Sequence, residues 1–145
     1  MTSQSQGKVL PKSILFVCYL NSIRSPMAEG LMRKLYPNVK VQSCGMASGE
    51  LDDLMVSIMR EKGVDMSGHS AQTLGDVSEQ SFDLVIAFTE AASAAAEATF
   101  FDTDTTVQSW PIPDPTHGSL DVRAIMNNYR AIRDNIEARL KRRFG

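Results

Sequence analysis

The sequence predicts an α/β fold: a three-layer, doubly wound parallel sheet of four strands with helices on both faces. Two observations point there. Short apolar runs alternate with stretches whose apolar residues recur at helical spacing. Strands that alternate with helices need right-handed crossovers, which bring the strands parallel and lay helices on both sides. Length is the third observation, since 145 residues at roughly 150 per domain argue for one domain. Hydrophobic residues make up 43% and charged residues 22%, which excludes a disordered or fibrous chain.

Residues 1–12 are polar and lack periodicity, and are expected to form a flexible leader before a single domain over 13–145. Residues 13–17 are an apolar run that suits a strand buried on both faces. A helix is expected at Pro26, with Ser25 as its N-cap, because proline tolerates the unpaired first turn. Ala28, Leu31, Met32 and Leu35 continue its apolar face, and Tyr36-Pro37 stops it. Residues 39–42 form the second strand candidate, closed by Gly45. Leu51, Leu54, Met55, Ile58 and Met59 mark a second helix, ended at Lys62-Gly63. Residues 82–88 are a third strand, and Thr89 caps an alanine-rich helix over 90–99. Residues 106–110 are the fourth strand. The following Trp110-Pro111-Ile112-Pro113-Asp114-Pro115 is neither helix nor central strand, because its prolines remove donors and fix φ. Ile125, Tyr129, Ile132, Ile136 and Leu140 mark a long terminal helix with basic residues in its last turns.

A formal net charge of −2 gives no reason to expect a nucleic-acid partner. The longest apolar run, residues 14–20, is far short of the roughly 20 residues that span a bilayer, so no membrane partner is expected. No secretory signal pattern is present, and Cys18 and Cys44 are too few for a disulfide framework or a four-cysteine zinc site. These readings point to a reduced, cytoplasmic protein without metal or cofactor.

The chemistry concentrates in Cys18-Tyr19-Leu20-Asn21-Ser22-Ile23-Arg24-Ser25-Pro26. A cysteine leaves a strand end, an arginine follows six residues later, and a helix begins at once. A loop between a strand's carboxyl end and a helix N-terminus gathers backbone N–H groups on one spot, where the helix dipole adds positive potential. Residues 19–24 would therefore seat a phosphate-sized anion, and the Arg24 fork would close it on two oxygens. At the floor of that seat, the same amides and cation favour a Cys18 thiolate placed for in-line attack. Displacing an alkoxide or phenoxide requires a proton, and Asp114 on its proline-bounded loop reads equally as the candidate acid and as a turn aspartate between prolines. Loops at the carboxyl ends of parallel strands share one edge, so this loop can overhang Cys18.

Cys18-x5-Arg24-Ser25 followed by Pro26-Met27-Ala28-Glu29 resembles the low-molecular-weight protein tyrosine phosphatases and the arsenate reductases of the same fold. Ser43-Cys44-Gly45, Ser67-Gly68-His69-Ser70-Ala71 and the late Asp114-Pro115 also match, in order, over about residues 13–143. The resemblance implies strand order 2-1-3-4, a phosphocysteine on Cys18, a phosphate clamp at Arg24 and a general acid, then base, at Asp114. It implies that Ser25 donates to the thiolate sulfur while Asn21 and Ser43 hold the loop. His69 has a family counterpart and reads as structural; His117 reads as a solvated loop residue. The substrate would be a phosphorylated protein or small phosphomonoester, and the enzyme a monomer or weak dimer.

Several positions depart from the family pattern. Leu20 replaces a usual glycine and is expected to distort the loop or its rim. Ile23 replaces a frequent second cysteine, so a disulfide within the loop is excluded. Thr116-His117 stands where two tyrosines often follow the Asp-Pro, and residues 46–53 contain no aromatic, leaving Tyr19 to stack on a phenol. The alternatives are an arsenate reductase that uses an external thiol, and an oxyanion- or phosphoprotein-binding module without turnover.

Overall fold

A computed structural model describes residues 9–116, 118 and 121–145. The elements run β1 (Ser13–Cys18), α1 (Arg24–Leu35), β2 (Lys40–Gly45), α2 (Asp53–Arg60), α3 (Leu74–Val77), β3 (Leu84–Ala87), α4 (Glu90–Thr99), β4 (Thr106–Ser109) and α5 (Val122–Phe144). The four strands pair in the order β2-β1-β3-β4, all parallel, as the resemblance implied.

β1 is a central strand, and alternation along it divides the core. Ile14, Phe16 and Cys18 pack on one side with Met27, Leu31, Met59, Tyr129 and Leu140 from α1, α2 and α5. Leu15 and Val17 pack on the other with Leu74, Val77, Ala92 and Ala96 from α3 and α4. The alanines of α4 thus serve close packing as well as helix propensity. No helix among the described residues is long and apolar enough to cross a membrane.

Most expected boundaries hold, and the exceptions have physical causes. Pairing against β1 carries β2 on to Gly45, beyond the expected 39–42, with Phe16 opposite Ser43 and Cys18 opposite Gly45. β3 is shorter than the apolar run 82–88. Its flank is occupied, since the Asp83 carboxylate accepts the Lys12 amide at 2.7 Å and the Asp83 amide donates to the Ser13 hydroxyl at 3.0 Å. α3 has no counterpart in the sequence reading. It is a single turn closed by a capping box in which Thr73 and Asp76 bond each other's backbone amides, too short to show periodicity. Ser25 is not the N-cap of α1: the helix starts at Arg24, Ile23 precedes it without a side-chain cap, and Pro26 is its third residue.

Candidate active site

β1 ends at Cys18, and α1 begins at Arg24 after a tight loop. Cys18 is 2% exposed, and its sulfur lies 2.8 Å from Ser25 Oγ. That contact explains the displaced cap, because the serine hydroxyl is turned to the thiol instead of to the helix end.

The loop turns at Asn21, whose φ is 58°. Asparagine tolerates this left-handed region better than most residues, and here its side chain is used in full. The Asn21 amide nitrogen donates to Ser25 Oγ and to Ser43 Oγ, each at 2.9 Å, and its oxygen accepts the Gln72 amide at 3.0 Å. His69 Nε2 lies 3.0 Å from the Asn21 carbonyl oxygen, in keeping with a structural histidine. Ser43 in turn donates to Glu29 on α1. A buried polar chain therefore runs from the sulfur through Ser25, Asn21 and Ser43 to Glu29.

Leu20 does not distort the loop. Among the described residues, Asn21 and Asp102 are the non-glycine positions with positive φ, so leucine adopts an ordinary backbone there. Its side chain is 41% exposed, so the substitution acts on the rim. Gly45 is the glycine that the site requires: a Cβ there would lie 2.7 Å from both the Asn21 nitrogen and the Tyr19 oxygen. The β2–α2 segment instead lies along the loop, with Met46, Ala47 and Gly49 donating their amides to the carbonyls of Cys18, Tyr19 and Leu20.

Those bonds occupy the loop's carbonyls and leave its donors. Among the described residues, none of the backbone N–H groups from Tyr19 to Ser25 has a protein acceptor. Buried amides seldom go unpaired, and a run of them at a helix start is a seat for an anion. Cys18, Tyr19, Leu20, Ser22, Ile23 and Arg24 line one wall of a cavity of about 390 Å³. Glu50, Leu51 and Asp52 line a second wall, Asp114 and Thr116 a third. The expected nucleophile, clamp and acid therefore share one cavity.

Arg24 is the first residue of α1 and lines the cavity. Its Nη1 donates to the Ile112 carbonyl at 2.9 Å and so ties the anion loop to the segment that carries Asp114. Asp114 Oδ1 accepts the Thr116 amide at 2.9 Å and the Thr116 hydroxyl at 2.7 Å. On the far wall, Asp52 caps α2 by accepting the Met55 amide and takes the Tyr129 hydroxyl at 2.9 Å. Burial first, and then the bond to Asp52, hold the Tyr129 phenol well above its ordinary value, so it remains a donor.

Ser22 is buried within the loop, and Tyr19 stands 55% exposed at the mouth. His117 lies outside the described residues. Cys44 is buried against the other face of the sheet, beside Val17 in register, and is turned away from Cys18 by strand alternation. Burial, followed by the nearby Cys18 and Asp76, pushes its thiol up to about 12.

The sequence reading missed Glu29, Gln72, Asp52 and Thr116. Glu29 stood within the matched Pro26-Met27-Ala28-Glu29 run, and Asp52 directly precedes an amphipathic helix, the usual place of a cap. Gln72 and the Ile112 carbonyl carried no local signal, because their partners lie 51 and 88 residues away.

A parallel α/β sheet with a cysteine, an open amide loop and an arginine at one strand end defines a phosphate-handling enzyme of the cysteine-dependent class. The chain belongs to the low molecular weight phosphotyrosine protein phosphatase family, whose model matches residues 13–144. It is therefore a member of a hydrolase family of protein phosphatases. It is 28% identical over 131 residues to a glutaredoxin arsenate reductase of Synechocystis sp., covering 90% of this chain and 94% of that protein. Over 78 residues it is 36% identical to the low molecular weight protein-tyrosine-phosphatase Etp of Escherichia coli, covering 52% of this chain and 53% of that one. Among solved structures, the YwlE arginine phosphatase from Geobacillus stearothermophilus superposes with a TM-score of 0.74 at 27% identity, covering 91% of this chain and 90% of that one.

Proposed function

We infer that the protein hydrolyses phosphomonoesters through a phosphocysteine on Cys18, with phosphorylated protein side chains as its main substrate class. The observation that carries this is the cavity in which a buried thiol, open loop amides, Arg24 and Asp114 meet. The phosphoryl group takes the amide seat. The Cys18 sulfur attacks phosphorus in line while the bond to the leaving oxygen breaks and Asp114 gives that oxygen a proton. Asp114, now a carboxylate, takes a proton from water; the water oxygen attacks phosphorus, the P–S bond breaks, and inorganic phosphate leaves with the thiolate restored. Ser25, 2.8 Å from the sulfur, supports the anion on departure. Arg24 neutralises the equatorial oxygens, exchanging the Ile112 carbonyl for phosphate.

Tyr19, Leu20 and Leu51 give the cavity an apolar rim that suits an aryl leaving group. Two unpaired cysteines suit a reducing cytoplasm.

Arsenate reduction is the second reading, favoured by the reductase relative that aligns along most of both chains. The chain has two cysteines, and Cys44 faces away from the site, so an arsenate adduct on Cys18 would need an external thiol for discharge. One experiment separates the readings: turnover of p-nitrophenyl phosphate against arsenite release from arsenate with glutathione and glutaredoxin. Phosphate release with a trappable phosphocysteine, vanadate inhibition, and loss of at least about 10⁴-fold in Cys18→Ser support the phosphatase. Arsenite release without phosphate turnover overturns it.

A further inference from the structure

Beside the catalytic cavity lies a second one, of about 350 Å³, between Pro113 and Pro115 on one side and Ala131 and Ile132 of α5 on the other. Asp114 lines both cavities, so its loop is a ridge between them. The lining is mostly hydrocarbon. Asn128 also borders the hollow, and its Nδ2 donates to the Pro115 carbonyl at 3.3 Å. Among the described residues, Asp114 is the charged side chain of this lining, and no cation is there to meet an anion. The proline wall is set before anything binds. Pro113 and Pro115 fix φ, the Ile112 amide donates to the Phe88 carbonyl at 3.1 Å, and the Ile112 carbonyl takes Arg24 Nη1 at 2.9 Å. A rigid apolar hollow takes up an apolar side chain at little ordering cost and gives an anion nothing to pair with.

The shared ridge decides what comes to this hollow. A phosphorylated side chain in the catalytic cavity brings its own polypeptide across the rim, and extended chain advances about 3.3 Å per residue. A residue within about three positions of the phosphorylated one therefore spans the width of a single loop. We propose that the hollow is a subsite for one apolar side chain of a phosphoprotein substrate, close in sequence to the phosphorylated residue. Small aryl phosphates end in the catalytic cavity and do not reach it, so the subsite selects among peptides alone. The proposal rests on the phosphoprotein reading given above and adds the sequence context that the enzyme prefers. Ala131 is exposed and Ile132 half-buried, so the hollow can be altered at Ala131 without entering the core.

The probe is a set of short phosphotyrosine peptides, polar throughout except for one leucine moved through the three positions on each side of the phosphotyrosine. For one placement, wild type should show a kcat/KM about tenfold above that of the peptide with serine there, as expected for burying most of one apolar side chain. Ala131→Gln projects a longer polar side chain into the hollow from an exposed helix position, and an unchanged urea midpoint should show the fold intact. It should abolish the leucine preference and leave the serine peptide and p-nitrophenyl phosphate within about twofold of wild type. Ala131→Ser, which keeps the hollow open, should retain the preference. No leucine preference at any position, or no peptide hydrolysis at all, while p-nitrophenyl phosphate is hydrolysed, overturns the subsite and leaves the phosphatase standing. A preference that survives in Ala131→Gln puts the apolar contact elsewhere and also overturns it. A wild type that sediments as a dimer, dispersed by Ala131→Gln, gives the hollow to a second copy of the chain and overturns it as well. If neither p-nitrophenyl phosphate nor any peptide yields Cys18-dependent phosphate, the phosphatase reading falls and takes the subsite with it.

Discussion

Asn21 is held by several constraints at once. It is fully buried, takes a positive φ of 58°, and spends its side-chain groups on Ser25, Ser43 and the Gln72 amide. Replacing it by alanine takes a donor from the Ser25 and Ser43 hydroxyls and the acceptor from the half-buried Gln72 amide, and puts a less tolerant residue in the left-handed region. Asn21→Ala should therefore lose about 3 kcal/mol of stability in urea unfolding, the sum expected of three lost hydrogen bonds and the strained turn. Turnover should fall with it, because the amides proposed to seat phosphate depend on this turn. A stability loss below about 0.5 kcal/mol would show that the network does not hold the loop. This residue was legible in the sequence as a support for the loop, through the family pattern. That Leu20 would sit there without positive φ was not, because a pattern of residue types does not say which position takes the left-handed turn.

At the scale of elements, the pairing of α2 with α5 is what sets the outer wall of the cavity. Asp52 at the start of α2 receives Tyr129 from α5, and Glu61 at its end receives Arg130 and Arg133. Hydrogen bonds from Arg130 and then Arg133 draw the Glu61 carboxyl down from 4.5 to about 2. Because the folded-state value is depressed, the ion pairs stabilise the fold above about pH 4.5, and that contribution fades as pH falls toward about 2. Glu61→Gln should thus unfold at lower urea than wild type at neutral pH, and the two midpoints should converge between those limits. A constant gap across that range would rule out the charged clamp. Helices of this kind were readable from their spacing: Leu54, Met55, Ile58 and Met59 for α2, and Tyr129, Ile136 and Leu140 for α5. The single turn of α3 was not, since four residues with a central glycine give no period, and its Thr73 and Asp76 pair was the one local trace.

For the molecule as a whole, strand order and layer arrangement were legible because alternation of strand and helix leaves few topologies, and the resemblance then chose one. The convergence of Cys18, Arg24 and Asp114 on one cavity followed from the same rule, since all stand at carboxyl ends of parallel strands. What escaped the reading were bonds across long stretches of chain, such as Arg24 to Ile112, which depend on packing that no local window contains.

The direction of β1 has a practical corollary. Cys18 closes the strand and Lys12 precedes its first residue, so the upstream backbone enters about 20 Å from the thiol, at the opposite rim of the sheet. α1 and α5 both run away from the cavity, and Tyr36 meets Phe144 edge-on with ring centroids 5.8 Å apart at their far ends. Each end of the described chain therefore points away from the mouth. Enzyme anchored to a bead through either terminus should process small aryl phosphates at the rate of free enzyme, whereas anchoring through a cysteine introduced at Leu51 should block them. Equal rates for all three tethers would contradict the polarity of the sheet.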